Sequence, residues 1–255
     1  LPAFAARMKS GAKVFLILRD LFPQWLMNEG SLQPGKLSSF LLASSVINYR
    51  LSYRVGTQSE TDIKLLEADG QKTDDFVVLK NWRTFPSYRP KRENSLPTKS
   101  TRVLYAGNVG RAQNMDVILP LLLSMNDVID LEISVYGFGE SLSLVRATLE
   151  EHRYASKIEF HEPVCEEALS DISQTYDFGL VALDDRLKTG NVPGKIPTYL
   201  SSGLGILAIC HRDSEVHKLI SKWQIGICAT SDEIERDHKS LAGQLQKINS
   251  NFDDQ

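Results

Sequence analysis

The chain is 255 residues long and sets 29 Lys and Arg against 32 Asp and Glu, a formal net charge of −3. With 42% hydrophobic and 24% charged residues, it can build a packed core and lacks the composition of a disordered chain; at about 100–200 residues per domain it is one large domain or two small ones. Apolar runs such as 14–18 and 117–123 fall far short of the about 18 residues a membrane span needs, and the balanced charge argues against a dedicated nucleic-acid binder.

In chain order, β-like apolar runs fall at 14–18, 53–57, 76–79, 103–106, 131–136, 158–160, 177–183, 206–209 and 226–228. Most are near-continuous rather than alternating, the pattern of parallel strands covered on both faces. Between them the spacing predicts helices at 36–51, 60–67, 115–125, 142–152, 165–174, 195–202 and 215–222. This alternation means βαβ units and an open parallel sheet, an α/β fold. The run 83–102, RTFPSYRPKRENSLPTKSTR, interrupts it with prolines and a basic excess and reads as a linker between two α/β domains. Its charge has two readings, plain solvation or a meeting with phosphate or a lipid surface. Six strands follow the run, enough for a Rossmann-like domain; three precede it, fewer than the usual about five. The first domain therefore reads as incomplete, and the start at Leu1, with no charged-then-apolar leader, reads as truncated or processed.

Several segments carry candidate chemistry. VLYAGNVGRAQN (103–114) runs from a buried strand through Gly107, Asn108 and Gly110 towards a helix. Its glycines let a ligand approach the backbone, and the free N–H groups of a helix start attract an anion. Arg111 adds a forked cation suited to phosphate; a plain βα turn with a solvated Arg is the alternative. TGNVPGKIPTYLSSG (189–203) follows another strand, with Pro193 and Gly194 as its turn and Pro197 suited to a helix start. Lys195 then lies at a helix N-terminus, where a cation is unfavourable unless an anion is bound beside it; a Lys pointing to water is the alternative. Ligands of open α/β sheets sit outside strand carboxyl ends, so both turns are expected to share one crevice, with Arg111 and Lys195 clamping a diphosphate.

Asp20 sits just past the first strand, where a carboxylate can accept a proton or a sugar hydroxyl or merely start the next turn. Asn81 and Trp82 mark a hinge or cleft, or ordinary packing. Gly137-Phe138-Gly139-Glu140 is a weak dinucleotide fingerprint and reads better as a plain βα turn. His211 and His217 lack ligand spacing, and Cys165, Cys210 and Cys228 form no Cys-x-x-Cys pair; no metal is expected, and a reducing compartment is.

Taken in order, RDLFPQWLMNEG (19–30), GTQSETD (56–62), VLKNW (78–82), YAGNVGRAQNMD (105–116), VYGFGE (135–140) and GNVPGKIPTYLSSGLGILA (190–208) resemble GT-B glycosyltransferases. The likeness is greatest to glycosyltransferase family 4 and its bacterial O-antigen, capsule and lipopolysaccharide branch. The resemblance implies two Rossmann-like domains: a partial acceptor-side domain at 1–88 lacking roughly its first half, a linker at 89–102, and a donor-binding domain at 103–255. It implies a retaining transferase of hexosyl or N-acetylhexosaminyl type, a UDP-linked sugar donor and no separate cofactor. Gly107, Asn108 and Gly110 would lie against the donor diphosphate, with Arg111 and Lys195 neutralising the leaving group. His161, Pro163 and Val164 would receive the nucleobase, Pro193, Gly194 and Thr198 would complete the donor site, and Asp20 would face the sugar or acceptor. Gly190 and Thr198 stand where many relatives carry paired glutamates, and Gly205 where proline is usual. The acceptor implied is a lipid-linked saccharide, placing the enzyme in the cytoplasm at the inner membrane face, with no nucleic-acid partner. Helix 36–51 fits a peripheral anchor or, equally, a buried core helix. A non-catalytic nucleotide-sugar-binding protein and a nucleotide-sugar epimerase of the same architecture are the rival readings.

Overall fold

A computed structural model describes residues 2–28, 30–81, 100–186 and 190–253. They fall into two compact units, Leu1–Asn81 with Thr189–Val192, and Trp82–Lys188 with Pro193–Gln255. Among the described residues no helix is long and apolar enough to cross a membrane.

The first unit runs α1 (Pro2–Ser10), β1 (Phe15–Ile17), α2 (Gln24–Asn28), α3 (Lys36–Leu51), β2 (Arg54–Thr57), α4 (Glu60–Ala68) and β3 (Phe76–Val78). Its three strands are parallel with β2 central. Val55 and Leu66 are fully buried beside Tyr49, and Leu16, Leu18, Leu21 and Phe76 pack partly against them. Ser59 starts α4 by accepting the Asp62 N–H at 3.1 Å, filling one of the bare donors of a helix start. On α3 the buried residues are Ser38 and Tyr49, whereas Leu37, Phe40 and Ile47 are 62%, 68% and 56% exposed. These three apolar side chains of α3 therefore face away from the small core of Val55, Leu66 and Tyr49.

The second unit continues with β4 (Thr101–Asn108), α5 (Met115–Leu123), β5 (Leu131–Phe138), α6 (Leu142–Leu149), β6 (Ile158–His161), α7 (Glu166–Ser173), β7 (Phe178–Ala182), α8 (Lys195–Ser201), β8 (Gly205–Ile209), α9 (Glu215–Trp223), β9 (Gly226–Ala229) and α10 (Ser231–Asp253). Every strand pairing is parallel, in the order β6-β5-β4-β7-β8-β9. Numbered within the unit this is 3-2-1-4-5-6, the doubly wound order whose ligand crevice opens at the switch between the first and fourth strands, here β4 and β7. All five residues of β7 and of β8 are buried, as continuous apolar strands roofed by helices on both sides should be. One core joins Val103 and Tyr105 of β4 to Ile118, Leu119 and Leu122 of α5 and to Leu241 and Leu245 of α10.

Two boundary expectations are corrected. β4 begins at Thr101, inside the range read as linker, because Thr101 N–H reaches Asp130 O at 2.7 Å and Arg102 N–H reaches the Asp177 carboxylate at 2.8 Å. The remainder of that linker reading, up to residue 99, lies outside the described residues. Residues 190–192 belong with the first unit rather than with the donor domain that begins at 103. The helices α1, α2 and α10 have no counterpart in the sequence reading. For α10 a signal exists: Thr230 and Glu233 form a reciprocal capping box, Thr230 N–H to Glu233 at 2.9 Å and Glu233 N–H to the Thr230 hydroxyl at 3.3 Å.

Candidate functional site

The carboxyl ends of β4 and β5 build the floor of the site. Gly107 takes φ 136, a conformation that L side chains rarely adopt. A Cβ on Gly137 would fall 2.1 Å from the Gly107 carbonyl oxygen, so the two strand ends touch backbone to backbone and only glycine fits. The turn beyond Gly107 is pinned twice: Val109 N–H donates to Phe138 O at 2.8 Å, and the Tyr105 hydroxyl donates to the Asn108 carbonyl. After Gly110 the chain does not enter α5 directly, as the sequence reading has it. It first makes a 3-10 turn at Arg111–Gln113, closed by Gly110 N–H to the Gln113 side chain at 2.9 Å.

Beside these turns lies a cavity of about 310 Å³, lined by Ala106, Gly107, Tyr136, Gly137, Phe138, Pro163, Val164, Leu169, Gly194, Lys195, Thr198 and Tyr199. Lys195, the first residue of α8, is half-buried. Its Nζ stands 3.7 Å from the centroid of the Tyr105 ring and 3.4 Å from where a Gly107 Cβ would be. Among the described residues no carboxylate lines the cavity. Burial pushes the lysine down to about 7, since an ammonium that loses water without gaining a counter-ion is disfavoured. The Tyr199 hydroxyl accepts the Ala106 N–H at 2.9 Å, and Gly179 makes room for this ring, where a Cβ would lie 2.2 Å from it. Tyr136 is pushed up to about 12, by burial first and then by its hydrogen bond with Tyr176.

The structure gathers Gly107, Pro163, Val164, Gly194, Lys195 and Thr198 of the predicted residues around this cavity. Asn108, Gly110, His161 and Pro193 are not in its lining. His161 stands behind Tyr136, their rings stacked at 4.4 Å and 16°. Arg111 is also outside the lining: its side chain is 73% exposed and its Nε lies 3.7 Å from Glu140. The expectation that Arg111 and Lys195 open on one cavity is corrected on this point, because the 3-10 turn that Arg111 heads directs it to Glu140. Asp20 belongs to the first unit and accepts from Asn191 Nδ2 at 2.9 Å. The plain-turn reading of 137–140 missed Gly137, which lines the cavity. Tyr105 and Tyr199 were missed as well; each is a buried phenol whose hydroxyl must find a partner, and that requirement is the signal.

The departures from the family pattern have local causes. A Cβ on Gly190 would lie 2.1 Å from Asp62 Oδ1 and 2.6 Å from the Ser59 hydroxyl, so a side chain there requires Asp62 and Ser59 to move. Gln58 holds the neighbouring backbone, accepting Val192 N–H at 3.2 Å, while Asn81 donates to Val192 O at 2.6 Å. Gly205 donates its N–H to Asp177 O at 2.9 Å, a bond that proline lacks.

No family model and no curated protein matches the chain. Among solved structures, Anabaena HepE in complex with UDP is similar with a TM-score of 0.67 at 11% identity, covering 98% of this chain and 70% of that one. A mutant of S. aureus TarM in complex with Fondaparinux, alpha-GlcNAc-glycerol and UDP gives 0.65 at 9% identity over 98% of this chain and 47% of that one. The lipopolysaccharide outer core galactosyltransferase WaaB in its apo form gives 0.64 at 13% identity over 97% and 69%. The chain spans about half the length of TarM and of the pneumococcal O-GlcNAc transferase GtfA, 47% and 53%. At these identities the likeness is one of fold: α/β with Rossmann-like parallel sheets, the architecture of GT-B glycosyltransferases.

Proposed function

We propose that this chain carries the donor-binding part of a glycosyltransferase, which takes a UDP-linked sugar and passes the sugar to a hydroxyl of a saccharide acceptor. The observation that supports this reading is Lys195, a half-buried cation with no carboxylate among the described residues in its cavity, set beside the Gly107 backbone at the switch point of a doubly wound sheet. In the transfer, the bond from the anomeric carbon to the diphosphate oxygen breaks with its electron pair going to that oxygen, and the acceptor oxygen replaces it, giving up its proton to the departing diphosphate. Negative charge grows on the departing diphosphate, and a cation already stripped of water is well placed to stabilise it. The glycine turn lets the pyrophosphate reach the backbone, and the apolar side chains of the lining, Phe138, Pro163, Val164 and Leu169, suit the flat face of a base. Arg111 serves as a rim cation that leaves Glu140 when the phosphate arrives.

The proposal extends to retention of anomeric configuration, to a hexose or N-acetylhexosamine, and to the family 4 branch of bacterial surface-polysaccharide assembly, with donor binding in the domain from residue 103 onward. A lipid-linked acceptor at the inner membrane face is part of it; the exposed Leu37, Phe40 and Ile47 of α3, on a helix with no acidic residue, support that placement. Calorimetric titration with UDP tests the core of the reading. Wild-type protein is expected to bind and Lys195→Ala to lose about 10-fold or more, the scale of a hydrogen bond to a charged group; equal affinities refute the assignment. A binding protein without turnover is the second reading, favoured by Gly190 and Thr198, which stand where the resemblance implies paired glutamates. Sugar transfer by the full-length protein decides against it.

A further inference from the structure

Lys195 has a resting partner that the donor reading does not use. Tyr105 is fully buried in β4, its ring face 3.7 Å from the Lys195 Nζ, while its hydroxyl donates to the carbonyl of Asn108. The same side chain thus touches both the cation and the glycine turn. Tyr199 fixes the next backbone position, accepting the Ala106 N–H at 2.9 Å. The other ionisable groups at the cavity are Tyr136 of β5 and Tyr199 of α8 in its lining and Tyr105 of β4 against the ammonium, all phenols; no carboxylate among the described residues lines the cavity.

We propose that Tyr105 is a positioning residue for the anion site, its ring the resting seat of the Lys195 ammonium and its hydroxyl the pin of the Gly107–Asn108 turn. An ammonium over an aromatic face is attracted by the ring quadrupole, more strongly where water is removed. The ring therefore offsets part of the burial cost of the charged form and holds the side chain in place while the cavity is empty, and a phosphate competes with a π face instead of a carboxylate. A carboxylate in that seat would hold the cation more tightly and oppose an incoming anion by its own charge. The inference rests on the donor reading only for the identity of that anion, and its test uses no ligand.

The experiment follows the Lys195 side-chain resonance through a pH titration of full-chain protein labelled with [ε-¹³C]lysine, the signal being assigned by its loss in Lys195→Met. Tyr105→Phe keeps the ring and is expected to leave the titration midpoint of Lys195 within about 0.3 pH unit, while pentafluorophenylalanine at the same position, which keeps the shape and reverses the quadrupole, lowers it by about one unit. A shared midpoint for the two folded proteins overturns the seat, because a purely structural ring distinguishes neither. The pin is read separately: amide hydrogen exchange at Asn108 and Val109 is expected to quicken about fivefold in Tyr105→Phe, the scale of one hydrogen bond. Unchanged exchange overturns that half. Failure of UDP to bind the wild-type protein removes the donor reading and leaves both of these results standing.

Discussion

A lysine driven down to about 7 by burial makes donor affinity depend steeply on pH, and the sign is fixed. The free site holds its proton only below about 7, whereas a bound diphosphate supplies the missing counter-charge and returns the lysine towards its ordinary value near 10.4. Binding above neutrality therefore takes up a proton. With a free value of about 7, the charged fraction falls from about nine-tenths at pH 6 to about one-hundredth at pH 9, so affinity drops about 100-fold over that span, with uptake of about 0.9 proton at pH 8. A UDP-sugar is the right probe, since both its phosphates are esterified and carry no titration of their own in this range. Calorimetry in buffers of different ionisation heat counts the proton directly. Stability runs the other way: unfolding returns the lysine to its ordinary value, the unfolded chain binds more protons between about 7 and 10.4, and the ligand-free protein gains stability as pH rises through that window. An affinity that stays flat from pH 6 to pH 9, or a proton released on binding, refutes the assignment; Lys195→Arg, which stays charged, is expected to abolish the slope.

The two cations are expected to differ in weight. Arg111→Ala, removing a side chain that is 73% exposed beside Glu140, is expected to cost UDP affinity at most about fivefold, the scale of an exposed ion pair, well below Lys195→Ala in the same titration. Gly137→Ala sets a Cβ 2.1 Å from the Gly107 carbonyl and is expected to destabilise the chain by about 2 kcal/mol or more in denaturant unfolding, as overpacking against backbone does; a neutral result removes the argument for that glycine. Leu37→Ser with Phe40→Ser is expected to weaken co-sedimentation with anionic lipid vesicles several-fold without loss of nucleotide binding, each deletion removing about 1.5–3 kcal/mol of available burial.

The strands of the fold are legible because each is a short apolar run that a parallel sheet roofs on both sides. β7 and β8, buried at every residue, need no tertiary knowledge to locate. The elements that escape reading are those whose amphipathicity is sparse. α10 buries Ile234, Leu241, Ala242 and Leu245 across a long polar helix that departs from helical geometry at Asp237. Its start at Thr230 and Glu233 is chemically marked, but a capping box counts as evidence only where an apolar stripe is recognised after it. β4 starting at Thr101 is hidden for another reason: its first bonds go to Asp130 and to the side chain of Asp177, partners distant in sequence.

At the candidate site, residue type and spacing identify the turns, and side-chain direction decides what they do. Arg111 and Lys195 both follow glycine turns at strand ends, and the sequence alone treats them as equivalent. A three-residue turn makes the difference: Arg111 heads the 3-10 turn and faces Glu140, while Lys195 opens α8 directly and turns inward over Tyr105. A forked guanidinium in solvent keeps its water and its acid, so its charge is already largely compensated. The ammonium has lost its water and has only a π face in exchange. Of two cations of equal formal charge, the inward one has the larger free-energy gain available from an arriving diphosphate, and that difference comes from a single turn of chain between Gly110 and Asn114.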